Sequence, residues 1–324
     1  MREQLAINLR AAVRRQGADQ TYADADDASW RSVDWEALQH TMEIEGRPVN
    51  VLDTGGDRPA LLWIHGLSAN WQSWLLNIPQ FMGTYRCVAL DLPGFGRSQM
   101  PPREISITGY ARVVDEVCEA LGISSVSVVG NSMGGFIGAE LALQFPTRVE
   151  RLVLVSAAGL SQENVRHEPV LAVGRMLATG AAHATAYQDT LARRPRLRRL
   201  ALLGVVRYPE RLSPALTREL FQGAGKPGFL PALEALLIYS FRDRLDGIEV
   251  PVLIVWGEFD MLVPVDDATE YELLIGANAR KVVFADTGHV PMIERPTRFN
   301  ALLAEFLAGE RAPEEGVEGV SRSI

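Results

Sequence analysis

The sequence predicts an α/β fold, with a mostly parallel central sheet flanked by helices and a helical lid inserted after the sixth core strand. Three observations predict it. Short, two-sided apolar runs alternate with helix-like segments, as a parallel sheet covered on both faces requires. The residues suited to chemistry fall just past the carboxyl ends of these runs, where open α/β sheets collect functional groups. Residues 161–245 carry no strand pattern and are rich in Ala, Leu and Arg.

Taken in order, residues 1–38 are expected to form an N-terminal helix and linker. Leu5, Leu9 and Val13 stand four apart with arginines between them, an amphipathic helical pattern. Its basic face suits a membrane surface or a partner, and packing on the chain's own domain is the plainer alternative. The segment lacks an uninterrupted apolar stretch and a small-residue cleavage site, so a secretory signal is rejected. No apolar run reaches the ~18 residues that span a bilayer. Residues 39–54 read as two strands around the turn Glu45-Gly46-Arg47-Pro48. Four further runs, 60–64, 86–90, 126–129 and 152–155, complete the first part of the core, 39–160. After the lid at 161–245, with helical stretches at 170–178 and 231–239, the second part of the core spans 246–312. It holds apolar runs at 250–256 and 281–284. The Glu- and Gly-rich tail, 313–324, is expected to be disordered.

The chain has 324 residues, 47% hydrophobic, enough to bury a core without staples. Its two cysteines, Cys87 and Cys118, are too few for a disulfide framework and read as buried thiols. Nothing in their use demands an oxidising compartment, and a cytoplasmic location is expected. The net charge of −8 argues against nucleic acid as a partner. The charge is uneven. Between Ser161 and Asp246 there are 13 Lys and Arg against 8 Asp and Glu, a balance of +5, so the remainder carries −13. The run Arg193 to Arg199 supplies much of it. A solvated helix face is the usual reason; attraction of an anionic substrate or a lipid surface is the sharper one. Oligomeric state is not readable from the sequence.

The most informative stretch is Gly130-Asn131-Ser132-Met133-Gly134-Gly135, between a buried strand and a helix. Strand, tight Gly-x-Ser-x-Gly turn and helix is the context of a nucleophile elbow. Gly130 and Gly134 let strand and helix approach closely, and the helix N-terminus leaves free N–H groups beside Ser132. A serine hydroxyl needs a base. Of the five histidines, His40 precedes the first strand and His167 and His183 lie in the insert. His65 starts the loop after a core strand, and His289 follows the last strand; position favours His289. The base needs an acid to orient it. Asp260, four residues past the strand end at Trp256, is preferred over Glu258, which sits in the tight turn. It is also preferred over Asp266 and Asp267, which look like a helix cap. His65 and Gly66 shape a loop that presents the Leu67 N–H beside that of Met133, two donors for one developing oxyanion. Trp71 and Trp74 are candidates to line the acyl side of the pocket, with Val290 beside the base; core packing is the alternative for the tryptophans.

These residues resemble the α/β-hydrolase superfamily over roughly residues 45–310. His65-Gly66 looks like its oxyanion-loop motif, and Asp91-Leu92-Pro93-Gly94-Phe95-Gly96-Arg97-Ser98 is similar to its Asp-x-x-Gly-x-Gly-x-Ser signature. Gly130–Gly135, Gly257–Pro264 and Gly288–Pro291 look like its nucleophile, acid and base motifs. The resemblance implies the serine-nucleophile branch, since epoxide hydrolases and haloalkane dehalogenases place Asp where Ser132 stands. Carboxylesterases and monoacylglycerol lipases fit. Gly-Asn-Ser-Met-Gly-Gly is also similar to the carbon–carbon hydrolases of ring-fission products, but Leu67-Ser68-Ala69-Asn70-Trp71 departs from their Gly/Pro-rich loop.

Three functions follow as expectations. The first is a serine hydrolase cleaving esters of small to medium apolar acyl groups, with no metal or organic cofactor required. The second is carbon–carbon hydrolysis or perhydrolysis on the same triad. The third is a non-enzymatic receptor or regulator that uses the lid pocket.

Overall fold

The structure is a computed structural model that describes residues 21–23, 27–161, 166–184 and 187–309. The predicted helix at 1–15 and the tail at 313–324 lie outside the described residues.

The expected strands form one eight-stranded sheet: β1 (Gln39–Ile44), β2 (Arg47–Asp53), β3 (Ala60–Ile64), β4 (Arg86–Leu90), β5 (Val126–Asn131), β6 (Val149–Val155), β7 (Val252–Gly257) and β8 (Ala279–Phe284). The order is β1-β2-β4-β3-β5-β6-β7-β8. Only β2 runs against its neighbours β1 and β4; the other pairs are parallel. The β1–β2 turn is shorter than the sequence suggested. Ile44 pairs with Arg47, which leaves Glu45 and Gly46 as a two-residue loop, both at positive φ (49° and 70°). That geometry matches the right-handed twist of a hairpin, and Arg47 and Pro48 belong to β2. β8 begins two residues earlier than the apolar run, because pairing with β7 reaches Ala279.

Alternate residues of each strand enter different cores, as the two-residue period dictates. Leu62, Ile64, Val88, Leu90, Val126 and Val128 face one layer, built with helices Ile107–Ala120, Met133–Gln144 and Asp266–Ile275. Leu61, Trp63, Cys87, Ala89, Val129 and Val153 face the other, covered by Pro296–Ala308 and the segment around Trp71 and Phe81. Each buried Leu, Ile or Val side chain contributes ~1.5–3 kcal/mol. Ser106 caps the helix Ile107–Ala120 by accepting the Gly109 N–H at 3.0 Å. Cys87 and Cys118 are buried free thiols, and burial pushes both up to about 12.

Between β6 and β7 the described chain is helical: His167–Ala184, Gln188–Arg193, Pro195–Ala201, Pro214–Phe221 and Phe229–Ile238. A single isolated bridge joins Leu203 and Val206. The arginine run is not wholly a solvated face. Arg198 is buried, and its guanidinium donates to the carbonyls of Ala192, Pro209 and Glu210. Among the described residues no helix is long and apolar enough to cross a membrane.

Candidate active site

The site is built where β5 ends at the middle of the sheet. β5 is buried along its whole length between β3 and β6, so its last residue opens onto the carboxyl edge. Ser132 follows at φ 55° and ψ −119°, a backbone state that non-glycine residues rarely occupy. The surroundings over-determine it. Its N–H donates to Val155 O at 2.9 Å, and its carbonyl accepts from Gly135, Phe136 and Ala158. Strain held this way keeps a side chain clear of the chain that carries it.

The glycines permit the contacts that define the turn. A Cβ on Gly134 would lie 2.2 Å from Ile64 O and 2.7 Å from His65 O, so only glycine lets the helix Met133–Gln144 begin against the end of β3. Gly130 meets Gly134 at a similar separation, and a Cβ on Gly66 would stand 3.0 Å from the Ser132 Cβ. The loop His65-Gly66-Leu67 is therefore pressed against the serine. Among the described residues neither the Leu67 nor the Met133 N–H has a hydrogen-bond partner.

His65 is fully buried and locked. Its Nδ1 donates to Gly66 O at 2.8 Å, and its Nε2 accepts from the Leu92 N–H at 3.0 Å. Burial lowers its pKa. A ring with both nitrogens engaged by backbone shapes its loop and has no free lone pair for proton transfer. The Asp91 motif works the same way. Its buried carboxylate accepts from the N–H groups of Trp71 (3.0 Å) and Arg97 (2.9 Å) and from Asn50 Nδ2 (2.9 Å). Ser98 Oγ donates to the Asp91 carbonyl at 2.6 Å. Together they tie the loops after β3 and β4.

Asp260 and His289 meet, although 29 positions separate them. His289 Nδ1 lies 2.7 Å from Asp260 Oδ2, and both side chains are buried. The other oxygen, Oδ1, accepts from the N–H groups of Leu262 and Val263, both at 2.9 Å, which fixes the carboxylate plane. Nδ1 therefore carries the proton and Nε2 keeps its lone pair. Gly257 makes the meeting sterically feasible, since a Cβ there would fall 1.9 Å from Gly288 O. Glu258 is exposed and accepts the Asp286 N–H at 3.0 Å, away from the imidazole. Asp266 and Asp267 lie in the first turn of the helix Asp266–Ile275. Asn131, the neighbour of Ser132, donates from Nδ2 to the carbonyl of His289 at 3.3 Å and to Val155 O at 3.0 Å. That pins the His289 backbone beside the serine turn. The Ser132 hydroxyl forms no hydrogen bond among the described residues; in unliganded sites this contact is often long and tightens with substrate.

Sequence reasoning missed several supports of the imidazole loop. Glu294 is fully buried. Its carboxylate accepts from the Tyr22 hydroxyl (2.6 Å) and from the N–H groups of Arg207 (2.8 Å), Gly288 (3.0 and 3.1 Å) and Val290 (3.3 Å). Burial raises its pKa, against the pull of these donors. The His289 N–H itself donates to Val205 O at 2.9 Å, so the helical insert holds the loop directly. The available signal was an acid set among apolar residues and prolines, Pro291-Met292-Ile293-Glu294-Arg295-Pro296.

Trp71 and Trp74 are both buried in the core. Trp74 packs against Trp63 with centroids 5.1 Å apart, and Trp71 against Trp35 at 5.2 Å. Val290 is buried beside His289. A solvent-open cavity of about 370 Å³ lies between the loops after β3 and β4 and the helical insert; neither Ser132 nor His289 lines it. Among the described residues no cluster of three or more His, Cys, Asp or Glu is placed to hold a metal.

The model of the alpha/beta hydrolase fold matches residues 59–296, and the chain belongs to that family. The chain is 31% identical over 304 residues to a 2-hydroxy-6-oxononadienedioate/2-hydroxy-6-oxononatrienedioate hydrolase of Paraburkholderia phymatum, covering 84% of this chain and 99% of the relative. It is 28% identical over 285 residues to the monoacylglycerol lipase ABHD6 of Bos taurus, covering 86% and 82%. Among solved structures, Est816, described as an N-acyl homoserine lactone degrading enzyme, superposes with a TM-score of 0.66 at 26% identity. That match covers 82% of this chain and 100% of Est816.

Proposed function

We propose that this hydrolase cleaves carboxylic esters of small to medium apolar acyl groups through an acyl-enzyme. The observation that carries the reading is the buried 2.7 Å bond between Asp260 and His289, beside a serine held at φ 55°. Ser132 Oγ attacks the ester carbonyl as His289 Nε2 takes its proton. The C=O electrons move onto oxygen, where the Leu67 and Met133 N–H groups receive them. Each such donor is worth ~2.7–4 kcal/mol of barrier. The tetrahedral centre collapses, the bond to the alkoxy oxygen breaks, and His289 gives its proton to the leaving alcohol. Water then repeats the sequence on the acyl group. Asp260 holds the imidazole in the needed tautomer and stabilises the imidazolium. The helical insert acts as a lid whose Val205 and Arg207 backbone also grips the His289 loop.

Hydrolysis of 4-nitrophenyl butanoate by the wild type and Ser132→Ala tests this. The variant should fold and lose at least ~10³-fold in kcat, because the triad acts as a unit. More than a tenth of wild-type activity would remove Ser132 from the mechanism. Carbon–carbon hydrolysis is the second reading, favoured by the Paraburkholderia phymatum relative. A ring-fission dienone assayed in parallel separates the two, and a dienone rate far above the ester rate reverses the order.

A further inference from the structure

Three stretches far apart in the chain meet at one phenol. The Tyr22 hydroxyl donates to Glu294 Oε2 at 2.6 Å and accepts the Tyr208 N–H at 2.9 Å. Among the described residues Tyr22 is the one side chain that bonds to the Glu294 carboxylate; the other donors are backbone N–H groups. The phenol is held in place. It is 2% exposed, its ring stands edge-on to Tyr208 with centroids 5.1 Å apart, and the Arg295 guanidinium lies 5.2 Å from its centroid. The next residue, Ala23, donates its N–H to the Glu294 carbonyl at 2.8 Å. Burial and the neighbouring carboxylate push the phenol's pKa up, so it stays protonated and donates.

The segment that Tyr22 holds reaches both partners of the serine. Val205 O accepts the His289 N–H at 2.9 Å, and the Arg207 guanidinium lies 4.1 Å from the ring centroid of Phe259, the residue before Asp260. Glu294 accepts the N–H groups of Gly288 and Val290, on either side of His289. One hydroxyl therefore joins the insert to the imidazole loop. Residues 21–23 lie outside the span 59–296 matched by the family model, so this anchor is an addition to the matched core. We propose that Tyr22 is a positioning residue, whose hydroxyl locks the insert onto the Glu294 loop and keeps the His289 imidazole aligned between Asp260 and Ser132. The inference rests on the hydrolase reading for its effect on turnover.

Tyr22→Phe keeps the ring and removes the hydroxyl. For 4-nitrophenyl butanoate kcat should fall ~5–100-fold, as small misplacements remote from the chemistry do. KM should stay within about twofold of wild type, the pattern of an interaction felt in the transition state. Tyr110→Phe is the control. It removes another buried tyrosine hydroxyl, bonded to Pro93 O at 2.9 Å in the opposite core layer, and should leave kcat unchanged. A kcat for Tyr22→Phe as close to wild type as that of Tyr110→Phe, or a rise in KM at unchanged kcat, overturns the proposal while leaving ester hydrolysis intact. A second readout needs no turnover. The proton between His289 Nδ1 and Asp260 Oδ2, 2.7 Å apart, should give a far-downfield NMR signal. Tyr22→Phe should shift or broaden it in folded protein, and Tyr110→Phe should leave it in place. If no ester turns over, the hydrolase reading fails and this signal judges the positioning role; an unmoved signal overturns it. If Tyr22→Phe does not fold, a ring-fluorinated tyrosine at position 22 keeps the hydroxyl and makes it a stronger donor. It should move the same signal, and a signal identical to wild type overturns the proposal.

Discussion

Replacing Glu294 with Gln removes one acceptor from a buried carboxylate that serves four groups. Two orientations of the new amide are available. With nitrogen in the Oε2 position it faces the Arg207 and Gly288 N–H groups and the Tyr22 hydroxyl. With nitrogen in the Oε1 position it faces Val290 and Gly288, and Gly288 can keep its 3.1 Å bond to the remaining oxygen. The second costs less. It still orphans the Val290 N–H and part of the new amide, two buried donors at ~1–3 kcal/mol each, or about 2–6 kcal/mol in all. Both Gly288 and Val290 flank His289, so the loss falls on the segment that presents the imidazole. Urea unfolding should show that deficit, and kcat for 4-nitrophenyl butanoate should fall at least ~10-fold in protein that remains folded. A variant within 0.5 kcal/mol of wild type and with full activity would refute the view that Glu294 sets the loop.

Three further outcomes are expected. Asp260→Asn should lower kcat by on the order of 10³–10⁴-fold through the wrong tautomer, while Glu258→Gln, altering an exposed side chain bonded to Asp286, should cost less than about threefold by initial rates. Gly134→Ala places a methyl 2.2 Å from Ile64 O; overpacking of ~1–3 kcal/mol and displacement of the loop after β3 should appear together, in melting temperature and in kcat. Burial raises the Asp267 carboxyl from 3.8 to about 6. The folded state thus holds a proton that the unfolded chain has released, and this group's contribution falls as pH rises from about 4 to about 6. Two pKa units set a ceiling of about 3 kcal/mol. Asp267→Asn keeps an acceptor for the Ser161 N–H and should raise stability at pH 8 by about 1–3 kcal/mol but not at pH 4, by urea titration at both values.

The sheet was readable because each strand carries its own signal, an apolar run closed by Gly, Asp or Ser, and burial on both faces leaves little freedom of register. Ser132, His289 and Asp260 were readable because they stand at strand ends with glycines beside them. The supporting residues had no such marker. Tyr22 meets Glu294 from 272 positions away, and no local pattern announces a contact that only folding creates. Asn131 sits within the recognised turn, but its bond to the His289 carbonyl depends on a loop crossing two strands. Arg198 looks like its neighbours in a basic run; only the placement of Pro209 and Glu210 turns it inward. Trp71 and Trp74 show the converse difficulty, since spacing alone does not tell a core residue from a pocket wall.

The central claim is that the Ser132 hydroxyl is made nucleophilic by His289. The most direct measurement is covalent labelling of the intact protein with a fluorophosphonate, followed by peptide mapping, in the wild type, in Ser132→Ala and in His289→Ala. The account predicts one adduct, on the peptide holding Gly130–Gly135, absent from Ser132→Ala and slowed at least ~100-fold in His289→Ala. An adduct on another residue, or labelling at an unchanged rate without the imidazole, would contradict it.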